Sequence, residues 1–257
     1  MNESNEFGIL YVASGKRFIA EAIQSAKSVK KAMPDIPIAI FLDDKYTFHL
    51  DNFDYIEILE NPTYSLRDKI IPLTRTPFEK TVFLDTDTFM IEPIPEAQVL
   101  LERFHIACAH APVRSVSEVE DCPEAFPEVN TGVIFYRRCN EVISLFKEWL
   151  SLYDLESREK KTKVQNQPSF RKALYDNVQI DLCILTPEYN LRVNQSFFIG
   201  GNAKVKILHG RGSYLEEAKL TLRKKPLHAW PRVKDNRLSF SALKKLFPRS
   251  NKGKPNS

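Results

Sequence analysis

"VFLDTDTFM", residues 82–90, is the stretch on which the reading of this chain turns. An apolar run that begins at Thr81 stops at two aspartates, Asp85 and Asp87, with Thr86 between them. The run reads as a buried strand. In an open parallel sheet, ligands bind beyond the carboxyl ends of the strands. The aspartates stand at such an end, and in an extended segment side chains two residues apart point the same way. Two hard oxygen donors there suit Mn2+ or Mg2+, with a diphosphate completing the shell. Aspartates also open turns and cap helices. A pair with this spacing arises by chance about once in a chain this long. The rest of the sequence has to supply the support.

Working outward, "FGILYVA" (7–13) is a continuous apolar run, as expected of a strand buried on both faces. Residues 17–32 place Ile19, Ala22, Ile23, Ala26 and Val29 at helical spacing before Pro34. "IPIAIFL" (36–42) is the next strand, completing a βαβ unit of the kind that builds parallel sheets. "FDYIEIL" (53–59) alternates and reads as a third strand. "SLRDKIIPLTR" (65–75) reads as a helix with Ser65 as N-cap and Asp68 as its capping-box partner, shortened or kinked by Pro72. In the second half, 104–110 and 131–137 read as strands around a proline-bearing polar loop. Residues 140–156 carry Val142, Leu145, Phe146, Trp149, Leu152 and Tyr153 on one helical stripe, with Asn140 as the expected cap. A second helix is expected over 167–175, with Pro168 in its first turn, and a late strand over 204–208 ending at His209.

The chain has 257 residues, 43% of them apolar, enough for one large α/β domain. Lys and Arg number 37 against 33 acids, and a net charge of +4 does not point to a nucleic-acid partner. The positive charge is uneven: over 219–257 Asp235 is the sole acid among many Lys and Arg. Cys108, Cys122, Cys139 and Cys183 lack C-x-x-C spacing and read as reduced thiols, most of them in the core of a cytosolic protein. The start, "MNESNEFGIL", has no basic and long apolar signal pattern, and no run is long enough to span a bilayer. The expectation is one domain over 1–215 and a helical, basic extension over 216–257.

Five ordered blocks give the carboxylates their context: "KIIPLTRTPFEKTVFLDTDTFM" (69–90), "NTGVIFYRR" (130–138), "NQPSFRKAL" (166–174), "TPEYN" (186–190) and "KVKILHGRG" (204–212). In these blocks the chain resembles nucleotide-sugar glycosyltransferases of the GT-A fold, and is most similar to the glycogenin-like glycosyltransferase family 8 and its relatives. The resemblance covers roughly 7–212 and is most specific over 69–87. It implies an α/β fold: a Rossmann-like, mixed but mostly parallel sheet flanked by helices. It implies that Asp85, Asp87 and His209 hold Mn2+ or Mg2+, and that Lys69 touches the donor's phosphate or sugar. Asn130, Thr131 and Gly132 match a turn beside the donor sugar, and Val12, Ala13 and Ser14 the place where the first strand meets the nucleoside. Thr86 and Gly212 fall within the donor-binding motifs, and Asn166 and Gln167 match the catalytic Asp-Gln pair near the sugar.

Residue chemistry agrees with these roles. A metal neutralises the diphosphate. Lys69 is a point charge. Glycine at 132 admits close backbone approach. Two departures stand out. Asn166 replaces a carboxylate, and an amide is neither nucleophile nor base. Leu215 stands where the family has a phosphate-binding lysine, leaving Arg211 or a tail lysine to supply that contact.

The expected activity is transfer of a sugar from a UDP-sugar to a glycan, lipid or protein acceptor. The competing readings are a non-catalytic nucleotide-sugar binder, a haloacid-dehalogenase-type phosphohydrolase and a sugar-nucleotide pyrophosphorylase. The phosphohydrolase motif normally follows a first strand, and the pyrophosphorylase needs a glycine-rich loop where "ASGKRF" offers one glycine. In the tail, "RLSFSALKKLFPRS" sets Leu238, Ala242, Leu243 and Leu246 at helical spacing beside Lys244, Lys245 and Arg249. The expected location is the cytoplasm, and this pattern admits peripheral contact with the inner face of a membrane.

Overall fold

A computed structural model describes residues 6–44, 48–111, 119–160, 164–195, 197–199, 203–224 and 229–230. β1 (Phe7–Ala13) is apolar on both faces because it lies inside a seven-stranded sheet. α1 (Lys16–Ala32) returns over that sheet and buries Ile19, Ala22, Ala26 and Val29, the stripe expected from spacing. β2 (Ile38–Leu42) and β3 (Tyr55–Ile58) extend the sheet outward, with β3 at the edge and largely exposed. β4 (Lys80–Leu84) pairs in parallel with the other side of β1. β6 (Ile106–His110), β7 (Val129–Arg137) and β8 (Leu182–Leu185) complete the order β3-β2-β1-β4-β7-β6-β8. β7 is antiparallel to both neighbours, so the other strands point one way and β7 begins at the edge where they end. The sheet changes winding direction between β1 and β4, which is where such sheets bind ligands.

Alternating residues of each central strand feed two apolar layers. Ile9, Tyr11, Val82, Val133 and Phe135 face α1 and α3 (Glu96–Arg103). Leu10, Phe83, Ile134 and Tyr136 face α4 (Asn140–Glu159) and α5 (Gln167–Asp176), whose Phe146, Trp149 and Phe170 fill that side. A smaller three-stranded sheet of β5 (Thr88–Met90), β11 (Ile207–His209) and β9 (Leu191–Arg192) lies against α1, and α6 (Gly212–Lys224) packs Ala218 beside it. β10 (Phe197–Phe198) pairs with β12 (Ala229–Trp230). Among the described residues, no helix is long and apolar enough to cross a membrane.

Several local expectations are corrected. The helix expected over 65–75 is four residues long, α2 (Ile70–Leu73), preceded by turns. Asp68 does not close a capping box on Ser65: its oxygens take the backbone N–H groups of Thr63 and Tyr64, so the carboxylate secures the turn instead. Cys139, not Asn140, precedes α4, and no side chain caps that helix. Residues 204–206 are irregular, and the late strand starts only at Ile207. Cys108 alone of the four cysteines is fully buried, and none forms a disulfide. The amphipathic pattern of 237–250 lies outside the described residues.

Candidate active site

The two aspartates do not sit in an extended segment, as expected from the strand reading, but in a turn. Asp85 continues the line of β4, its N–H donating to the Gly132 carbonyl at 2.8 Å. The chain then reverses into β5, with the Thr88 N–H and hydroxyl both donating to the Asp85 carbonyl, at 3.1 and 2.8 Å. Asp87 is held from the other side, its carbonyl accepting the Gly210 N–H at 2.9 Å. β5 pairs with β11 so that Thr88 faces His209. That pairing carries a residue from late in the chain to the carboxylates: His209 Nε2 lies 3.4 Å from Asp87 Oδ1 and 3.9 Å from Asp85 Oδ2. Ligand atoms of Asp85, Asp87 and His209 all fall within 4.8 Å of one another. Two carboxylates and an imidazole nitrogen make a donor set that fits Mn2+ well and Mg2+ less well.

Cations already crowd these acids. Lys69 is buried, and its Nζ donates to Asp85 Oδ1 at 3.0 Å and to the Thr131 carbonyl at 3.0 Å. Arg211 bridges Asp87 Oδ2 at 3.0 Å and Glu21 Oε2 at 2.9 Å. Burial by itself would raise the Asp87 carboxyl, but His209, Arg211 and Arg192 outweigh it and hold Asp87 well below the usual carboxylate range. Burial acts on Glu21 in the same upward sense, and its bonds to Arg211, Arg17 and Thr86 turn the shift downward.

The start of β7 meets the start of α5 across the cleft. The Asn130 amide donates to Gln167 Oε1 at 2.8 Å, and the Thr131 hydroxyl to Asn166 Oδ1 at 3.1 Å. Trp149 of α4 donates its indole N–H to the Asn166 carbonyl at 2.9 Å, fixing that position from below. Asn166 Nδ2 and Arg192 Nε are buried with no hydrogen-bond partner among the described residues, and both residues line the cleft. Two donors of this kind leave the cleft able to donate to oxygen acceptors. The space that a side chain at Gly132 would need is taken by the His209 ring, so the glycine makes room for the imidazole.

The cleft encloses about 340 Å³. Val12, Ser14, Lys69, Asp85, Thr86, Asp87, Asn130, Thr131, Gly132, Asn166, Gln167 and His209 line it. Ala13 is buried behind it, and Gly212, in the left-handed region at φ 67°, opens α6 beside a neighbouring depression. Sequence reasoning missed Glu21, Arg192, Phe18 and Tyr64. Glu21 and Phe18 sit in an ordinary amphipathic helix. Tyr64 carried a faint signal, being followed by the Ser65 turn; its backbone is left-handed at φ 54° and its ring is 67% exposed at the cleft rim.

No protein-family model matches the sequence, and none of the curated proteins matches it. Solved structures do. The galactosyltransferase LgtC in complex with donor and acceptor sugar analogues aligns at TM-score 0.51 and 14% identity, over 80% of this chain and 87% of that one. An active-site mutant of LgtC aligns at TM-score 0.51 and 13% identity, over 83% and 95%. At such identity the likeness is one of architecture, and the chain has the GT-A-type glycosyltransferase fold that its ordered sequence blocks led us to expect.

Proposed function

We propose that the protein is a metal-dependent glycosyltransferase that moves a sugar from a nucleoside-diphosphate donor, UDP-linked, to an acceptor hydroxyl. The observation that carries this reading is the convergence of Asp85, Asp87 and His209 at the end of β4, in a cleft lined by two unpartnered buried donors. In the transfer, the bond from the anomeric carbon to the diphosphate oxygen breaks, a bond to the acceptor oxygen forms, and the hydroxyl proton passes to the released diphosphate. A divalent ion held by the three residues supplies charge neutralisation on the diphosphate. Lys69, Arg192 and Arg211 add fixed positive charge around that point, and as preorganised groups they need no reorganisation as charge develops on the leaving group. Asn166 Nδ2 is available to orient a sugar oxygen. Val12 and Ser14 border the nucleoside end, where the exposed rings of Tyr64 and Phe18 offer faces for a base.

Asn166 also favours a second reading, a nucleotide-sugar binder that does not turn over. The carboxylates that line the cleft are Asp68, Asp85 and Asp87, and each is engaged: Asp68 by the turn it secures, Asp85 by Lys69, Asp87 by Arg211 and His209. Release of UDP from UDP-sugars in the presence of Mn2+ separates the two readings. For both, Asp87→Asn should abolish Mn2+-dependent UDP binding by calorimetric titration while circular dichroism stays unchanged. Equal UDP affinity in that variant, with Mn2+ present, overturns the metal reading.

A further inference from the structure

We propose that Asn190, Asn130, Gln167 and Glu128 form a directional relay that sets the protonated nitrogen and the ring orientation of His209, making them positioning residues for the metal ligand. The proposal rests on the metal reading above and assigns Gln167 a role in orienting His209. The links are short, buried at Asn190 and partly buried at Gln167. His209 Nδ1 meets Asn190 Oδ1 at 2.8 Å, and Asn190 Nδ2 donates to Asn130 Oδ1 at 2.9 Å. Asn130 Nδ2 donates to Gln167 Oε1 at 2.8 Å, and Gln167 Nε2 to Glu128 Oε1 at 2.8 Å. His209, Asn190, Asn130 and Glu128 are each at most 4% exposed.

Amide orientation and histidine tautomer are usually chosen by the surrounding network. Here the network has two ends that allow one choice. The Gly132 N–H can only donate, and it points at Asn130 Oδ1 from 3.0 Å. The Asn130 amino group must then face Gln167. At the far end the Glu128 carboxylate accepts, so the Gln167 amino group faces it and the Gln167 oxygen faces Asn130. Both ends demand the same polarity. Asn190 therefore spends its amino group on Asn130 and presents its oxygen to the imidazole, and an amide oxygen can only accept. Nδ1 carries the proton. Nε2 is left facing Asp85 and Asp87, where a ligand nitrogen is needed. Reversing the whole relay would set the Asn130 amino group against the Gly132 N–H at one end and the Gln167 oxygen against the Glu128 carboxylate at the other.

The first test uses the metal-free full-length chain. Long-range 1H–15N spectra report which ring nitrogen carries a proton, His209 being identified by the signals lost in His209→Gln. Spectra are followed to a pH at which the ring has lost one proton: the remaining proton is expected on Nδ1, and a neutral ring protonated at Nε2 alone overturns the relay. The second test measures Mn2+ affinity from the loss of the free-ion EPR signal. Asn190→Ala should weaken binding at least about tenfold, the usual scale for such partners. Glu128→Leu should weaken it too, whereas Glu128→Gln, which keeps an accepting oxygen, should stay within about twofold of the parent. Equal losses in Glu128→Leu and Glu128→Gln, or unchanged affinity in Asn190→Ala, refute the relay. A parent chain that binds no Mn2+ defeats the metal reading, and the ring spectrum then decides the relay alone.

Discussion

Replacing Gly132 with alanine gives a sharp test of how the site is packed. The backbone at Gly132 is not left-handed, so alanine meets no conformational penalty there. The obstacle is the imidazole. A methyl carbon would sit 2.7 Å from His209 Nδ1 and 2.8 Å from Nε2, and closer still to Cε1. Ordinary contacts begin at about 3.5 Å, so the ring must shift by about 1.5 Å. That shift breaks the 2.8 Å bond to Asn190 inside a buried site. An unmade buried hydrogen bond costs about 1–3 kcal/mol, and overpacking costs about 1–3 kcal/mol more. A total of about 3 kcal/mol lowers the melting temperature of a chain this size by about 6–12 °C. Calorimetry on the four members of a cycle with His209→Ala reads the cause. Without the ring the added methyl has room, and the same substitution should cost under about 0.5 kcal/mol. Additive losses, or a Gly132→Ala protein melting with the parent, would refute the packing argument.

Trp149→Phe should lower stability by about 1–2 kcal/mol, because the indole N–H that holds the Asn166 carbonyl is lost from a buried site; it should also weaken UDP-sugar binding, and denaturant unfolding with donor titration checks both. Tyr64→Ala should weaken UDP binding by about tenfold if the exposed ring stacks on the base, a contact worth about 1–3 kcal/mol, while leaving the unfolding midpoint unchanged; calorimetric titration measures it. Burial pushes the phenols of Tyr11 and Tyr136 far above their ordinary value of about 10. Their folded pKa values exceed the unfolded ones, so the stability they protect is complete below about pH 10 and is lost as the pH rises further, by roughly 1.4 kcal/mol per pH unit for each phenol. Unfolding curves at alkaline pH should be flatter in Tyr136→Phe.

Much of the first half of the chain was legible because its elements are local and periodic. β1, α1 and β2 announce themselves by continuous or helical apolar spacing, and the end of β4 by the abrupt change from Leu84 to Asp85. Order and residue type also pointed to His209, Asn130 and Asn166. Where local rules competed, the sequence misled: Ser65 and Asp68 have capping-box spacing, yet Asp68 found two unpaired backbone N–H groups in the preceding turn and secured those. Some features had no local trace. β5 is a three-residue strand, and it exists because β11 pairs with it; that pairing turns Asp85 and Asp87 toward a common point and lays His209 beside them. The use of Gly132 as room for the His209 ring, the bridge from Arg211 to Glu21 and Asp87, and the run of amides from Asn190 to Glu128 join residues far apart in the chain. Periodicity records which face of an element is apolar, so the sequence determined the layers and the strand end at which the two aspartates stand. Hydrogen-bond direction and steric exclusion between distant segments have no period, so the tertiary structure decided which nitrogen of His209 meets the carboxylates.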